Sequence, residues 1–182
     1  MAKKLSSNRR TGKQLSFKFA IQDDRFPKLL GLVCLFLALY LFIAFTSYLF
    51  TWKEDFDKAY WALLLSPHQM SNWLGRLGAV LSNNFIYYGF GISSYLFVFL
   101  FFITGLNLVQ GISVKSLLPT YRRSLITMIW TSILFAFIFF TSNFPWGGAF
   151  GHFIIENLHS LVGIPGIIVI LLFSAIAVLI WS

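Results

Sequence analysis

The stretch Leu29–Phe50, LLGLVCLFLALYLFIAFTSYLF, decides the fold. Its 22 residues include no Asp, Glu, Lys, Arg or His. An α-helix needs about 20 mostly apolar residues to cross the hydrocarbon core of a bilayer, so this run reads as a membrane span. It is continuous rather than alternating, which excludes the strand of a lipid-facing barrel. It is longer than the apolar region of a secretory signal, and no small-residue cleavage site follows it.

Three further runs lie downstream, at about 85–109, 124–141 and 165–181. The second, Phe85 to Val109, is uncharged but contains Gly89, Gly91, Gly105 and Asn107. The third is rich in Ile and Phe, and the fourth opens on Pro165, which the first helical turn tolerates. Composition agrees with a lipid solvent. The chain of 182 residues fits one domain, 58% of it is hydrophobic and 11% charged, against about 25% charged in a soluble domain. Mean hydropathy is +0.77 and Phe alone accounts for 22 residues. The expected fold is an all-α membrane protein: a basic cytoplasmic tail over 1–28, then a four-helix transmembrane domain over 29–182.

The net charge of +8 is concentrated rather than spread. Eight of the fourteen Lys and Arg residues precede Leu29, and Lys115, Arg122 and Arg123 stand between the second and third spans. Lys53, Lys58 and Arg76, between the first and second spans, are offset by Glu54, Asp55 and Asp57. Positive residues flanking spans are retained in the cytoplasm, so both termini are expected there. Trp52, Trp61, Trp73 and Trp146 then fall at or near the outer headgroup level and Trp181 at the inner one, as amphipathic rings prefer. Trp130 lies within the third span as a packing residue. Each basic residue near an anionic leaflet contributes about 1 kcal/mol, so topology and membrane attachment account for the tail without DNA contact.

Both outer loops carry apolar stripes at helical spacing. Met70, Trp73, Leu74, Leu77 and Leu81 form one, and Ile154, Leu158, Leu161 and Val162 a shorter one, which predicts two interfacial amphipathic helices. Gly75 and Gly78 overlay Gly148 and Gly151, Asn84 then falls on Asn157, and the pair Gly89 and Gly91 matches Gly163 and Gly166. This is a weak two-fold repeat, parallel because both halves leave and re-enter the same side.

His152, Glu156 and His159 share a helical face at i, i+4 and i+7 and are the only metal-ligand candidates, without a fourth ligand nearby. They lack the H-E-x-x-H order of a zinc hydrolase. Cys34 is the only cysteine, which excludes an intrachain disulfide. None of the four runs holds an ionisable Asp, Glu, Lys, Arg or His, which disfavours an ion-coupled transporter. A small oligomeric channel or permease with a neutral pore remains as the alternative function. Gly12-Lys13 continues into Gln14 with no upstream glycine, so no phosphate-cradling loop is present.

Asn72-Trp73-Leu74-Gly75-Arg76-Leu77-Gly78, the Phe85-to-Gly91 stretch, Gly147-Gly148-Ala149-Phe150-Gly151 and Gly163-Ile164-Pro165-Gly166 together resemble the four-span N-terminal membrane domain of the FtsK/SpoIIIE DNA translocases. The likeness runs from about Leu29 to Trp181. It implies a non-catalytic anchor in the bacterial inner membrane, concentrated at the division septum, where it meets other division proteins. It further implies a homo-oligomer, a hexamer in that family, and a RecA-like motor that uses ATP and Mg and moves DNA during chromosome segregation. No cofactor is implied for the segment itself. The chain ends at Ser182 without a linker or motor, and the expectation is a longer natural product.

Overall fold

The computed structural model describes residues 25–61 and 69–181, and the side chains as far as Ile180. The basic tail before Arg25 and the Trp181 ring therefore lie outside the described residues. All regular structure among the described residues is helical.

Helix α1, Arg25–Asp55, extends the first apolar run at both ends. It buries Ala38, Leu41, Ala44, Phe45 and Tyr48, a stripe at i, i+3 and i+7 spacing. Leu29, Leu32, Phe36, Leu39 and Phe50 point outward and are exposed, a pattern suited to lipid and not to water. After a loop, α2, Gly75–Ser82, runs into a π-helical stretch, Asn83–Phe90, and a short 3-10 turn, Gly91–Ser94. Helix α3, Tyr95–Val109, follows. The second apolar run is thus not one straight rod. Gly89 leaves helical geometry at φ −92°, ψ −124° and Gly91 turns at φ +65°, so the chain bends before α3 descends.

Helix α3 packs antiparallel against α1. Phe45 lies against Tyr95 with ring centroids 5.6 Å apart, and near the other end Gly31 faces Gly105. A Cβ on Gly105 would stand 2.8 Å from the Gly31 carbonyl oxygen, so the two backbones nearly touch. Small residues give this approach in lipid, where helices associate through packing and hydrogen bonds rather than a hydrophobic drive.

A short 3-10 turn, Val114–Leu117, leads into α4, Leu118–Ile138, with a proline in its first turn. Helix α5, Gly148–Trp181, is broken at Gly163, φ +65°, ψ +177°, into a first arm and a second arm. Ala136, Ile155, Ile167 and Leu171 form the core between α4 and α5, and Trp130 Nε1 donates to Ser174 Oγ at 3.0 Å. The second arm of α5 is therefore antiparallel to α4.

Three stretches are long and apolar enough to cross a membrane: Arg25–Asp55, Gly75–Val109 and Gly148–Ile180. Helix α4 differs from the expected 124–141 run for two reasons. Arg122 and Arg123 fall inside it, and it stops at Ile138 because the chain turns there, with the Ser142 amide donating to the Phe139 carbonyl at 2.9 Å. Its charge-free part is only Ser124–Ile138.

The two halves meet backbone to backbone. The Ile92 amide donates to the Trp146 carbonyl at 2.9 Å. A Cβ on Gly91 would collide with that same carbonyl, and one on Gly148 with the Gly89 carbonyl. Both glycines also sit at positive φ, which costs an L-residue about 1–2 kcal/mol. Gly148→Ala is expected to lose this plus about 1–3 kcal/mol of overpacking. Gly111→Ala, also at positive φ but facing open space, loses only the first term. Thermal unfolding in detergent checks the difference; equal losses would remove the seam as a determinant of stability.

Candidate interaction surface

At the Asp55 end of the bundle, the turn that carries the Asn-Trp-Leu-Gly motif does not ride on top of the helices. The Asn72 Nδ2 donates to the Ala44 carbonyl at 3.0 Å, and the Trp73 amide donates to Ser47 Oγ at 2.9 Å. Ala44 lies eleven residues before the end of α1, about 16 Å along the axis at 1.5 Å per residue. The turn dips beside the span. Backbone at such depth is tolerated where protein partners satisfy it, and Asn72 supplies several. Its Oδ1 accepts from the Leu74 amide at 3.0 Å, and its carbonyl accepts from the Gly75 amide at 2.8 Å.

A polar network beside this turn holds Ala59 and Ser71. Tyr48 donates its hydroxyl to Asn83 Oδ1 at 2.6 Å, and Asn83 Nδ2 donates to the Ala59 carbonyl at 3.1 Å. The Asp55 carboxylate, 1% exposed, accepts from Thr51 Oγ1 at 3.1 Å and from the Ser71 amide at 2.8 Å. Ser71 also donates its hydroxyl to Glu54. Two hydrogen bonds to the carboxylate offset part of the cost of burying its charge.

Around this rigid base lies an apolar rim. Trp73 is 65% exposed and stacks on Phe50 at 6.4 Å, with Leu77 exposed beside it. Arg76 is half-buried and Gly78 buried against Asn72 and Leu74. In the second half, Gly147 and Gly151 press on the Ser132 carbonyl and Ala136, and Ser132 Oγ donates to the Gly147 carbonyl at 2.6 Å. Gly163 opens on free space apart from Pro165, and Gly166 backs onto Val162.

His152, Glu156 and His159 lie along the first arm of α5, with His152 half-buried near the Phe140 ring and the other two exposed. Among the described residues no three His, Cys, Asp or Glu side chains gather as a metal ion would need. At the opposite end of the bundle, Lys115, Arg122 and Arg123 are exposed, as are Arg25 and Lys28 at the start of α1. The bundle thus has one basic end and one end of mixed charge.

Sequence reasoning missed the network residues Ser47, Tyr48, Asp55 and Asn83. A signal existed: Ser47, Thr51 and Asp55 recur at i, i+4 and i+8, a polar line emerging at the end of an apolar helix. Also unread was the full match of Trp73-x-Gly75-x-x-Gly78 with Trp146-x-Gly148-x-x-Gly151.

The arrangement defines a polytopic helical membrane domain whose looped end presents a fixed surface, with no catalytic constellation among the described residues. The comparisons then give the family. A family model described as the 4TM region of DNA translocase FtsK/SpoIIIE matches residues 24–182, and the chain belongs to that family. No curated protein and no solved structure matches it.

Replacing Asn72 by Leu would strand the Leu74 amide, at about 1–3 kcal/mol, and would remove the turn's bond to the Ala44 carbonyl, which the helix ladder of α1 still pairs. The expected outcome is faster hydrogen exchange at the Leu74 and Gly75 amides while α3 stays protected. Unchanged exchange there would show that Asn72 does not hold the turn.

Proposed function

We propose that this chain is the membrane-anchoring and septum-interaction domain of a DNA translocase acting in cell division and chromosome segregation. The observation that carries this reading is the family match over 24–182. The motor, with its ATP and Mg, belongs to other parts of such a protein; this segment anchors and docks. DNA is reached through the motor, not through the membrane domain.

Four spans with both termini in the cytoplasm are the proposed topology. The clustering of Arg25, Lys28, Lys115, Arg122 and Arg123 at one end supports it through the positive-inside bias. Helix α4 is the third span in chain order: its 21 residues reach about 30 Å, with Arg122 and Arg123 set to snorkel toward the basic side.

The two-fold parallel repeat belongs to the same proposal. Gly75 and Gly148 share φ values of +65° and +67°, and Gly91 and Gly163 share +65°. Asn84 and Asn157 each donate to the carbonyl four residues back, Val80 and Phe153. Each half is then a span, a dipping Trp-x-Gly-x-x-Gly turn, an amphipathic helix, a glycine break and a second span.

The outer loops and interfacial helices of the looped end, on the network beneath them, are the docking face for septal proteins. A neutral pore finds no support in the bundle, because its polar side chains pair with one another: Thr46 with Tyr95 at 3.0 Å, Thr131 with Ser93 at 2.8 Å, and Thr104 with Tyr121.

A fluorescent fusion to this segment is expected to concentrate at mid-cell in dividing cells, and uniform peripheral signal would defeat the septal reading. For topology, a cysteine at Ser116 is expected to resist a membrane-impermeant thiol reagent in intact cells and to react after lysis. Labelling of intact cells would reverse the orientation.

A further inference from the structure

The two proposed repeats do not meet as equals. The break of the first half, Gly89 to Gly91, receives the turn of the second half, Trp146 to Gly148, through the Ile92 amide and the Trp146 carbonyl. In a symmetric pairing, the break of the second half would receive the turn of the first. It does not: among the described residues a Cβ on Gly75 would meet nothing within 4 Å, and one on Gly163 only the Pro165 ring at 3.8 Å. The internal contact is head to tail, and it leaves one unused head and one unused tail on the same chain.

The unused elements are built like the used ones. Gly163-Ile164 matches Gly91-Ile92 in order and in glycine φ, and Trp73-Leu74-Gly75 matches Trp146-Gly147-Gly148. Around them Trp73, Leu161, Val162 and Ile164 are exposed, whereas Trp146, their counterpart at the filled contact, is packed between Phe139 and Phe144. A residue at φ +65°, ψ +177° interrupts the helical hydrogen-bond ladder, and in lipid a non-helical stretch of backbone is tolerated only where protein covers it. Trp146 gives that cover at the first break.

We propose that a second copy of this chain covers the second break: the Trp73–Gly75 turn of one protomer docks on Gly163–Ile164 of its neighbour, repeating the internal contact between molecules. The inference rests on the repeat proposed above and names the partner of its open ends. Because the two contacting surfaces differ, the contact is heterologous and propagates from copy to copy until a ring closes. A turn-on-break contact also suits lipid, since close backbone approach and one backbone hydrogen bond, rather than apolar area, hold helices together there.

The test is disulfide trapping in membranes, in the natural gene product with Cys34→Ala. Trp73→Cys with Ile164→Cys is expected to give a ladder of dimers, trimers and larger species under a thiol oxidant, while each single variant stays monomeric. Co-expression of the two single variants under different tags is expected to stop at a mixed dimer. Ser93→Cys with Thr131→Cys, whose hydroxyl oxygens stand 2.8 Å apart, is the internal control and closes within one chain. A monomeric double variant overturns the proposal, the result expected if Trp73 merely rests among lipid headgroups. So does a dimer from Trp73→Cys alone, which would be a two-fold contact. Failure of the control removes the internal seam that serves as template and overturns it equally. Imaging of the same cells separates this from the anchoring proposal: mid-cell signal without cross-links defeats only the oligomer contact, and cross-links with uniform signal defeat only the septal role.

Discussion

The hydrogen bond from the Ile92 amide to the Trp146 carbonyl, made possible by glycine on both sides, is the constraint on which the bundle depends. Within each half, long side chains interdigitate: Phe45 with Phe85 and Tyr95 in one, Ala136 with Ile155 and Ile167 in the other. Between the halves, ring pairs such as Trp52 with Phe144 and Phe90 with Phe150 flank a backbone-to-backbone contact at Gly91 and Gly148. Side-chain packing tolerates a swap of similar volume. The glycine contact has no such tolerance, because a Cβ on Gly91 or Gly148 lands on a peptide group.

Polar residues in the apolar runs follow from the same economy. In lipid an unpaired hydroxyl has no water to fall back on, and each interhelical hydrogen bond is worth about 0.6–2 kcal/mol. Thr46 with Tyr95 ties α1 to α3 within the first half, while Thr104 with Tyr121 and Thr131 with Ser93 join the halves, the former toward the basic end and the latter close to the glycine seam. They tie helices at separate levels, so the register of each pair is specified where uniform Leu and Phe surfaces would leave it free to slide.

Length, charge and glycine spacing made much of this legible beforehand. The helical class and the positions of the first and last apolar runs follow from Leu29–Phe50 and from Pro165 onward, because a span has a minimum length set by the bilayer. The bend at Gly89–Gly91 was visible only as a glycine pair; that it turns the chain needs the partner carbonyl from residue 146, which no local pattern contains. The end of α4 at Ile138 was equally hidden, since Phe139 and Phe140 continue the apolar run and only the turn to Ser142 stops the helix. The Asn72 turn was recognised by its motif and read as interfacial. Its depth beside Ala44 depends on a side-chain amide reaching another helix, twenty-eight residues away in sequence.

That depth bears on how such a domain can serve as an anchor and a docking face at once. A loop floating at the headgroup level would present Trp73 on flexible backbone, and ordering it on binding would cost about 1–2 kcal/mol per residue fixed. Here the turn over Ser71–Gly75 is already held. Asn72 and Ser47 hold the turn to α1, Asp55 holds the Ser71 amide, and Asn83 ties the following helix to the loop through Ala59. The charges near this end are mixed in sign, whereas the opposite end is basic, so the ends differ in both rigidity and field. A partner approaching the looped end meets a preformed apolar rim on a hydrogen-bonded base. A lipid surface at the other end meets exposed Lys and Arg. The two tasks are separated by the length of the bundle, and neither requires the spans to move.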